Sequence, residues 1–249
     1  MWEGISMARF FVSAEEMKLD YLVLEGENAA HAKVLRLKTG EQVTICDGEG
    51  RENICTVSDV SAGQISLVVT ERLESASEAC VAVTIYMAFP KGDKLEHVIQ
   101  KATELGAYEI VTFPTARCIS KPDEKSIAKK LDRWQKIAAS AAEQSGRGRV
   151  PKVTVLGSYK EALSHAAEAD LAILFYENER GYTLRNALSE APYKKISLMT
   201  GPEGGLEPKE VEMALDAGLR VCTLGRRILR CETAPLCALS AVMYDSGEF

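Results

Sequence analysis

The stretch Ile196–Pro208 reads ISLMTGPEGGLEP, an apolar run that passes into a glycine-rich turn and then into a helix start. The run predicts a buried strand, and Pro208 suits the first turn of a helix. Glycines at such a turn leave backbone N–H groups open to a ligand, and ligands bind at the carboxyl ends of strands in open α/β sheets. The stretch matches neither a phosphate loop nor a dinucleotide fingerprint. A ligand loop and a tight strand–helix turn both fit it.

The sequence around this stretch alternates strands with helices. Helix 93–105 is the clearest, because its apolar residues recur on one face. This alternation predicts an α/β domain with a largely parallel sheet over residues 78–249. The predicted strands are 81–89, 109–113, 153–156, 171–176 and 195–199, and the other predicted helices are 126–145, 208–218 and 236–244.

Residues 1–74 have a different pattern, with short strand-like runs separated by turns such as Asp47-Gly48 and Ala62-Gly63. This pattern predicts a small β-barrel domain with one helix at 28–35. The polar segment 71–79 is predicted to be a linker. The predicted strands are 9–12, 21–24, 42–46, 52–60 and 64–70.

Two arginine-rich stretches are further candidates for chemistry. Val221–Pro235 reads VCTLGRRILRCETAP, and its charges next to a buried element are costly unless they are paired or face a ligand. A helix cap by Thr233 with an internal Arg–Glu pair is the alternative. Ala142–Pro151 reads AEQSGRGRVP, and arginines on such a loop suit forked hydrogen bonds to phosphate, although a solvated loop has the same composition.

The net charge of −6 argues at first against a nucleic-acid partner, but its distribution is uneven. Residues 1–77 hold 7 Lys and Arg against 13 Asp and Glu, whereas residues 117–152 hold ten basic residues against four acidic ones. Because screening makes electrostatic attraction local, such a basic segment can bind a polyanion. Solvated charged faces remain the alternative.

The seven cysteines form no Cys-x-x-Cys pair, and the three histidines lie far from them in sequence. We therefore expect no metal, no disulfide framework and a reducing cytoplasm. A secretory leader and an 18-residue apolar run are both missing from the sequence, so we expect no membrane association.

Several motifs together resemble the RsmE family of the SPOUT methyltransferases. They are TGPEGG at 200–205, LGRRILRCETA at 224–234, EQSGRGRVP at 143–151, KATELG at 101–106, LDRWQKI at 131–137, RFF at 9–11 and HAKVLRL at 31–37. The resemblance implies a PUA-like, RNA-binding β-barrel at 1–74 and, at 78–249, a SPOUT α/β domain with a deep trefoil knot, the cofactor site and a homodimer interface. It also implies S-adenosylmethionine as methyl donor and N3 of one uridine in 16S ribosomal RNA of the small subunit as acceptor.

The reaction that the resemblance implies needs a group to accept the N3 proton and a cation to stabilise the developing charge. Arg230 is the candidate to bind a uracil oxygen, and Glu232 or Glu177 is the candidate proton acceptor. The expected cofactor residues are Leu174, Thr200, Gly201, Glu203, Gly204, Leu224, Gly225, Ile228 and Leu229, and the expected RNA contacts are Arg9, Arg36, Lys38, Arg117, Lys121, Arg147 and Arg149. The alternatives are a non-catalytic RNA-binding or ribosome-assembly protein, a related enzyme acting on tRNA, and an α/β enzyme for a small nucleotide.

Overall fold

The computed structural model describes residues 7–61, 63–120, 123–190 and 192–249. The chain divides into two compact units. The first contains the residues up to Glu78 together with Ala142–Val150, and the second contains Ala79–Ala141 and Pro151–Phe249. The expected Ala62-Gly63 turn and Lys121 fall, wholly or in part, outside the described residues.

The first unit is built on a curled sheet with the strand order β1-β3-β4-β5-β2 in its described residues. β1 runs parallel to β3, and the other neighbours are antiparallel. Alternate residues of these strands face a shared core that includes Phe10, Leu22, Ile45 and Leu67. The elements are β1 (Ala8–Phe11), a 3-10 turn (Glu16–Lys18), β2 (Tyr21–Leu24), α1 (Gly26–Val34), β3 (Gln42–Cys46), β4 (Arg51–Ser61) and β5 (Gln64–Glu74).

The predicted linker at 71–79 is wrong for its first four residues. Glu71–Glu74 continue β5 and pair with Arg51–Ile54 of β4, so the backbone hydrogen bonds of these residues belong to the sheet. Ser75 then donates its N–H to the carbonyl of Gly50 over 2.7 Å. Polar composition predicted a loop here because the side chains of Glu71–Glu74 are all exposed, so this end of β5 has no buried apolar face.

The second unit contains a sheet with the order β11-β9-β10-β6-β7-β8, and its described pairings are all parallel. Its central strands are buried along the whole of β9 and from Ile196 to Thr200 in β10, as expected where helices cover both faces of a sheet. The elements are β6 (Ala82–Ala88), α2 (Lys94–Glu104), β7 (Glu109–Phe113), α3 (Glu124–Gln144), β8 (Lys152–Val155), α4 (Tyr159–Ala166), β9 (Leu171–Phe175), α5 (Leu184–Ser189), β10 (Lys195–Thr200), α6 (Pro208–Asp216), β11 (Arg220–Cys222) and α7 (Thr233–Asp245).

The parallel register brings four strand ends to one edge of this sheet. Thr200 at the end of β10 lies opposite Met87 of β6 and Phe175 of β9, and Phe175 in turn lies opposite Cys222 of β11. The loops that follow these strands therefore emerge side by side. The α/β architecture expected from the sequence is confirmed, while the trefoil knot implied by the resemblance stays a prediction. No described helix is both long and apolar enough to cross a membrane.

Candidate active site

A cavity of about 520 Å³ lies where these loops meet. Its walls come from the end of β9, the loop after β10, the loop between β11 and α7, and Lys94 at the start of α2. A depression of similar volume lies around Tyr182 and Arg220, but the glycine-rich loops do not contribute to its walls. The residues that line the cavity are Lys94, Phe175, Tyr176, Glu177, Arg180, Thr200–Gly205, Thr223–Gly225, Arg227–Cys231 and Ala234.

The loop after β10 needs its glycines because neighbouring groups press against the backbone. A Cβ on Gly201 would lie 3.0 Å from Cγ of Leu206, and a Cβ on Gly204 would lie 3.1 Å from Cβ of Arg117. Gly205 has φ +66°, and a Cβ there would collide with a carboxylate oxygen of Glu177. The loop is therefore packed on one side by protein, which leaves its other side as a cavity wall.

The loop between β11 and α7 begins with a turn that is closed by a hydrogen bond to the Thr223 side chain. Thr223 accepts a hydrogen bond from the Gly225 N–H over 3.2 Å, and Gly225 has φ +108°. Ile228 in this loop is 78% exposed although it is apolar. An exposed apolar side chain that lines a cavity is a suitable contact for a ligand.

Lys94 connects the two loops by ion pairs. Its Nζ lies 3.0 Å from Oε1 of Glu203 and 3.2 Å from Oε2 of Glu232, and the Lys91 N–H donates to the same Glu203 oxygen over 3.0 Å. The hydrogen bonds to Glu203 and Glu232 raise the pKa of Lys94. All three groups are therefore charged at neutral pH.

The pKa values of both carboxyl groups are lowered. Partial burial acts to raise the pKa of Glu203, but the Lys91 N–H and Lys94 outweigh it. A hydrogen bond from its own backbone N–H lowers the pKa of Glu232, and the Cys231 thiol and Lys94 lower it further.

The alternative for this stretch, a Thr233 cap with an internal Arg–Glu pair, is wrong. Glu232 pairs with Lys94, and Glu232 itself precedes α7 as the N-cap residue, without a side-chain capping bond. The partner of Glu232 therefore comes from the start of α2, which is distant in sequence, and not from an arginine of the same loop.

Eight of the nine expected cofactor residues line the cavity. The exception is Leu174, which is fully buried in β9 between β10 and β11, so the next residues along the chain form the wall. Arg230 and Glu177 also line the cavity, while Glu232 lies behind it against Lys94.

Lys94 and Arg180 are lining residues that sequence reasoning missed. The available signal was their position, because each lies in or just after a loop that follows a predicted strand of the sheet.

Two of the expected RNA-contacting arginines, Arg9 and Arg147, do not project into solvent, and their contact with RNA stays a prediction. Arg147 is 4% exposed and lies 2.6 Å from Glu78, and Arg9 pairs with Glu52 at 2.6 Å. A guanidinium group that is buried in an ion pair cannot bind phosphate unless that ion pair first breaks.

The other expected RNA contacts are more accessible. Arg36 and Lys38 are exposed. Arg117 is partly exposed and donates to the Gly204 carbonyl over 3.1 Å, and Arg149 donates to the Glu49 carbonyl over 2.6 Å.

The donor set of the cavity fits S-adenosylmethionine. Backbone amides and carbonyls of two glycine loops can read an adenine edge, and Leu224, Ile228 and Leu229 supply apolar contacts for the rings. Carboxylates and arginines in the same walls match the charged amino-acid end of the molecule. No group of three His, Cys, Asp or Glu side chains suited to a metal was found among the described residues.

Two family models cover most of the chain. One, described as an RNA methyltransferase domain, matches residues 77–243, and another, described as an RNA methyltransferase PUA domain, matches residues 24–70. The ribosomal RNA small subunit methyltransferase E of Bacillus subtilis is 38% identical over 249 residues, which is 96% of this chain and 97% of that protein.

The chain belongs to the ribosomal RNA small subunit methyltransferase E family.

Solved structures agree with this family membership. The ribosomal RNA small subunit methyltransferase E of Neisseria gonorrhoeae, bound to S-adenosyl methionine, is 32% identical with a TM-score of 0.86, covering 98% of this chain and 99% of that one. A methyltransferase of Legionella pneumophila in complex with SAM is 29% identical with a TM-score of 0.83, covering 96% and 98%. The PUA-like and methyltransferase halves expected from the resemblance are therefore those of the family.

Proposed function

We propose that the chain transfers a methyl group from S-adenosylmethionine to N3 of a uridine in 16S ribosomal RNA of the small subunit. The observation that carries this proposal is the cavity at the carboxyl edge of the parallel sheet, whose walls contain eight of the nine residues expected to hold the cofactor. Family membership and SAM-bound relatives support it. Bacterial small-subunit ribosomal RNA methyltransferases among its relatives support the cytoplasm as the place of action.

The reaction requires the chain to remove a proton and to stabilise negative charge. When bound, S-adenosylmethionine supplies a methyl group on a positively charged sulfur. Uracil N3 carries a proton, so a carboxylate has to accept it as the N3–methyl bond forms, and a cation has to bind the oxygen on which charge develops. Arg230 lines the cavity, is exposed and suits the second role.

We assign the proton-accepting role to Glu177 rather than Glu232. Glu232 is held by Lys94, and its lowered pKa makes it a weaker base. Glu177 is exposed, lines the cavity and touches the loop after β10 at Gly205. The target uridine has to leave its stack to reach such a site.

The first unit offers a basic surface for RNA in the last turn of α1 and the turn that follows it. Other described cations of this unit, such as Arg9, Lys18, Arg51 and Arg72, pair with carboxylates. Lys33, Arg36 and Lys38 are exposed and make no ion pair with any described residue. Three such cations within six residues suit a phosphate backbone even on an acidic domain.

A homodimer through the second unit is also part of the proposal. Helix α7 is apolar around its circumference, and one side of it, with Leu239 and Val242, is buried. The other side exposes Cys237 and Tyr244, the latter at 72%. A helix that is hydrophobic all round is normally covered on both sides. Sedimentation is expected to give twice the chain mass, and Tyr244→Glu is expected to give the monomer.

The test is methyl transfer from radiolabelled S-adenosylmethionine to three acceptors: small ribosomal subunits, free 16S RNA and tRNA. Label is expected in one or both of the first two and absent from tRNA. Label in tRNA alone would assign the chain to the alternative substrate. Binding of small subunits without binding of S-adenosylmethionine, checked by calorimetry, would indicate the non-catalytic assembly role.

A further inference from the structure

The Lys94 ion pairs join parts of the cavity that are distant in sequence. Glu203 lies within the loop after β10, between Gly201 and Gly204, and Glu232 ends the loop that leads into α7. Lys94 begins α2, whose backbone follows the third strand end, that of β6. One ammonium group therefore connects three of the loops that emerge at the carboxyl edge of the sheet.

The arrangement brings two carboxylates close together around one cation. Because Nζ is 3.0 Å and 3.2 Å from their oxygens, Glu203 and Glu232 are no more than about 6 Å apart, a distance at which like charges repel appreciably. The Cys231 thiol adds a hydrogen bond to Glu232 over 3.2 Å and lies 3.7 Å from Nζ. Without the ammonium group, repulsion would push the two loops apart.

We propose that Lys94 is a positioning residue, which holds the two loops of the cavity together and thereby sets the affinity for S-adenosylmethionine. This inference rests on the proposed function, because it concerns the cofactor of that same cavity. Lys94 acts through Glu203 and Glu232, and its side chain is 31% exposed.

The experiment measures S-adenosylhomocysteine binding to the full-length protein by calorimetry. Lys94→Met is expected to weaken binding by about tenfold or more, and Lys94→Arg, which keeps the charge, is expected to recover most of the loss. Lys101→Met is the matched control, since Lys101 lies on the same helix and pairs only with Glu104 among the described residues, at 2.7 Å. The control is expected to bind like the wild type.

The pH dependence provides a readout that a loss of packing would not change. In the wild type, the lowered carboxyl pKa values and the raised lysine pKa keep the bridge charged, so affinity is expected to be flat between about pH 6 and 9. In Lys94→Met the two adjacent carboxyl groups share no cation, and one of their pKa values rises. Binding by this variant is expected to recover as the pH falls. Arg227, Arg230, Arg180 and Glu177 line the same cavity and are unchanged in both proteins.

The outcomes separate this inference from the proposed function. If the wild type binds no S-adenosylhomocysteine, the proposed function fails. If the wild type binds and Lys94→Met binds within about twofold of it, the role of Lys94 is overturned. Should Lys94→Met fail to fold, Glu232→Gln is measured instead, because it removes one partner of Lys94 without changing a residue that lines the cavity, and an affinity within about twofold of the wild type would overturn the role of the bridge.

Discussion

Arg36 occupies a backbone position that glycine usually takes. It has φ 58°, in the left-handed region, and it follows α1 in a helix-ending turn in which the Leu37 N–H bonds to the Ala32 carbonyl over 3.2 Å. A side chain there costs about 1 kcal/mol. The strain is consistent with a side chain that is needed for binding rather than for folding.

Arg36→Gly is therefore expected to change stability and binding in opposite directions. The free energy of unfolding should rise by up to about 1 kcal/mol, while affinity for small-subunit RNA falls and its salt dependence decreases by about one charge. Urea unfolding and filter binding at several salt concentrations measure the two effects. Lys18→Ala, which removes a cation paired with Glu15, is the control and should leave RNA binding unchanged. An Arg36→Gly protein that binds RNA like the wild type would remove this residue from the interface.

Glu177→Gln and Glu232→Gln are expected to change different quantities, the first kcat and the second the affinity for S-adenosylhomocysteine. Glu177→Gln should lower kcat by about two to four orders of magnitude and leave S-adenosylhomocysteine affinity nearly unchanged, because it removes only a proton acceptor. Glu232→Gln should mainly weaken that affinity, because it disrupts the Lys94 bridge. Steady-state methyl transfer with calorimetry separates them. A larger fall in kcat for Glu232→Gln would reverse the assignment.

Residues 142–150, which follow most of α3 in the chain, belong to the first unit. We call this segment the strap. Glu78 accepts hydrogen bonds from the Arg147 side chain over 2.6 Å and from the N–H groups of Gly148 and Arg149 over 3.0 Å each. Gly148 has no room for a Cβ, which would collide with Ser75. The strap therefore depends on a buried charge and on a glycine.

Arg147→Met is expected to destabilise the strap without changing the electrostatic contribution to RNA binding. Removing one partner of a buried ion pair costs about 3 kcal/mol or more, whereas Arg149→Met removes a hydrogen bond to a carbonyl worth about 1 kcal/mol. The salt dependence of RNA binding should decrease for Arg149→Met and stay unchanged for folded Arg147→Met. Urea midpoints and salt titrations check both. Equal effects of the two variants on RNA binding would contradict the distinction.

Most elements could be predicted from the sequence because their apolar periodicity is strong, as in α2 and in the buried strands β9 and β10. Helices α4 and α5 were missed because they span only 8 and 6 residues. Their capping residues, Ser158 and Thr183, were the available signals, since each side chain accepts a hydrogen bond from the first turn. The extension of β5 to Glu74 had no such signal, because cross-strand pairing alone determines it.

Across the whole molecule, the sequence shows where basic residues cluster, but it does not show which of them form ion pairs with distant residues. The glycine loops follow from local sequence, and eight of the nine residues that the resemblance assigned to the cofactor line the cavity; their contact with the cofactor stays a prediction. Arg9 and Arg147 look identical to free arginines in the sequence, and only long-range contacts with Glu52 and Glu78 show that they are occupied. Lys94 was missed for the same reason, since its partners lie more than 100 residues away.

Methylation of uridine N3 in small-subunit RNA is tested most directly by mass spectrometry of nucleosides. The nucleosides come from small subunits of a strain that lacks this enzyme, before and after incubation with the purified protein and S-adenosylmethionine. We expect one N3-methyluridine per 16S RNA with the wild type and much less with Glu177→Gln. A methyl group on another base, or on tRNA alone, would show that the proposed function is wrong.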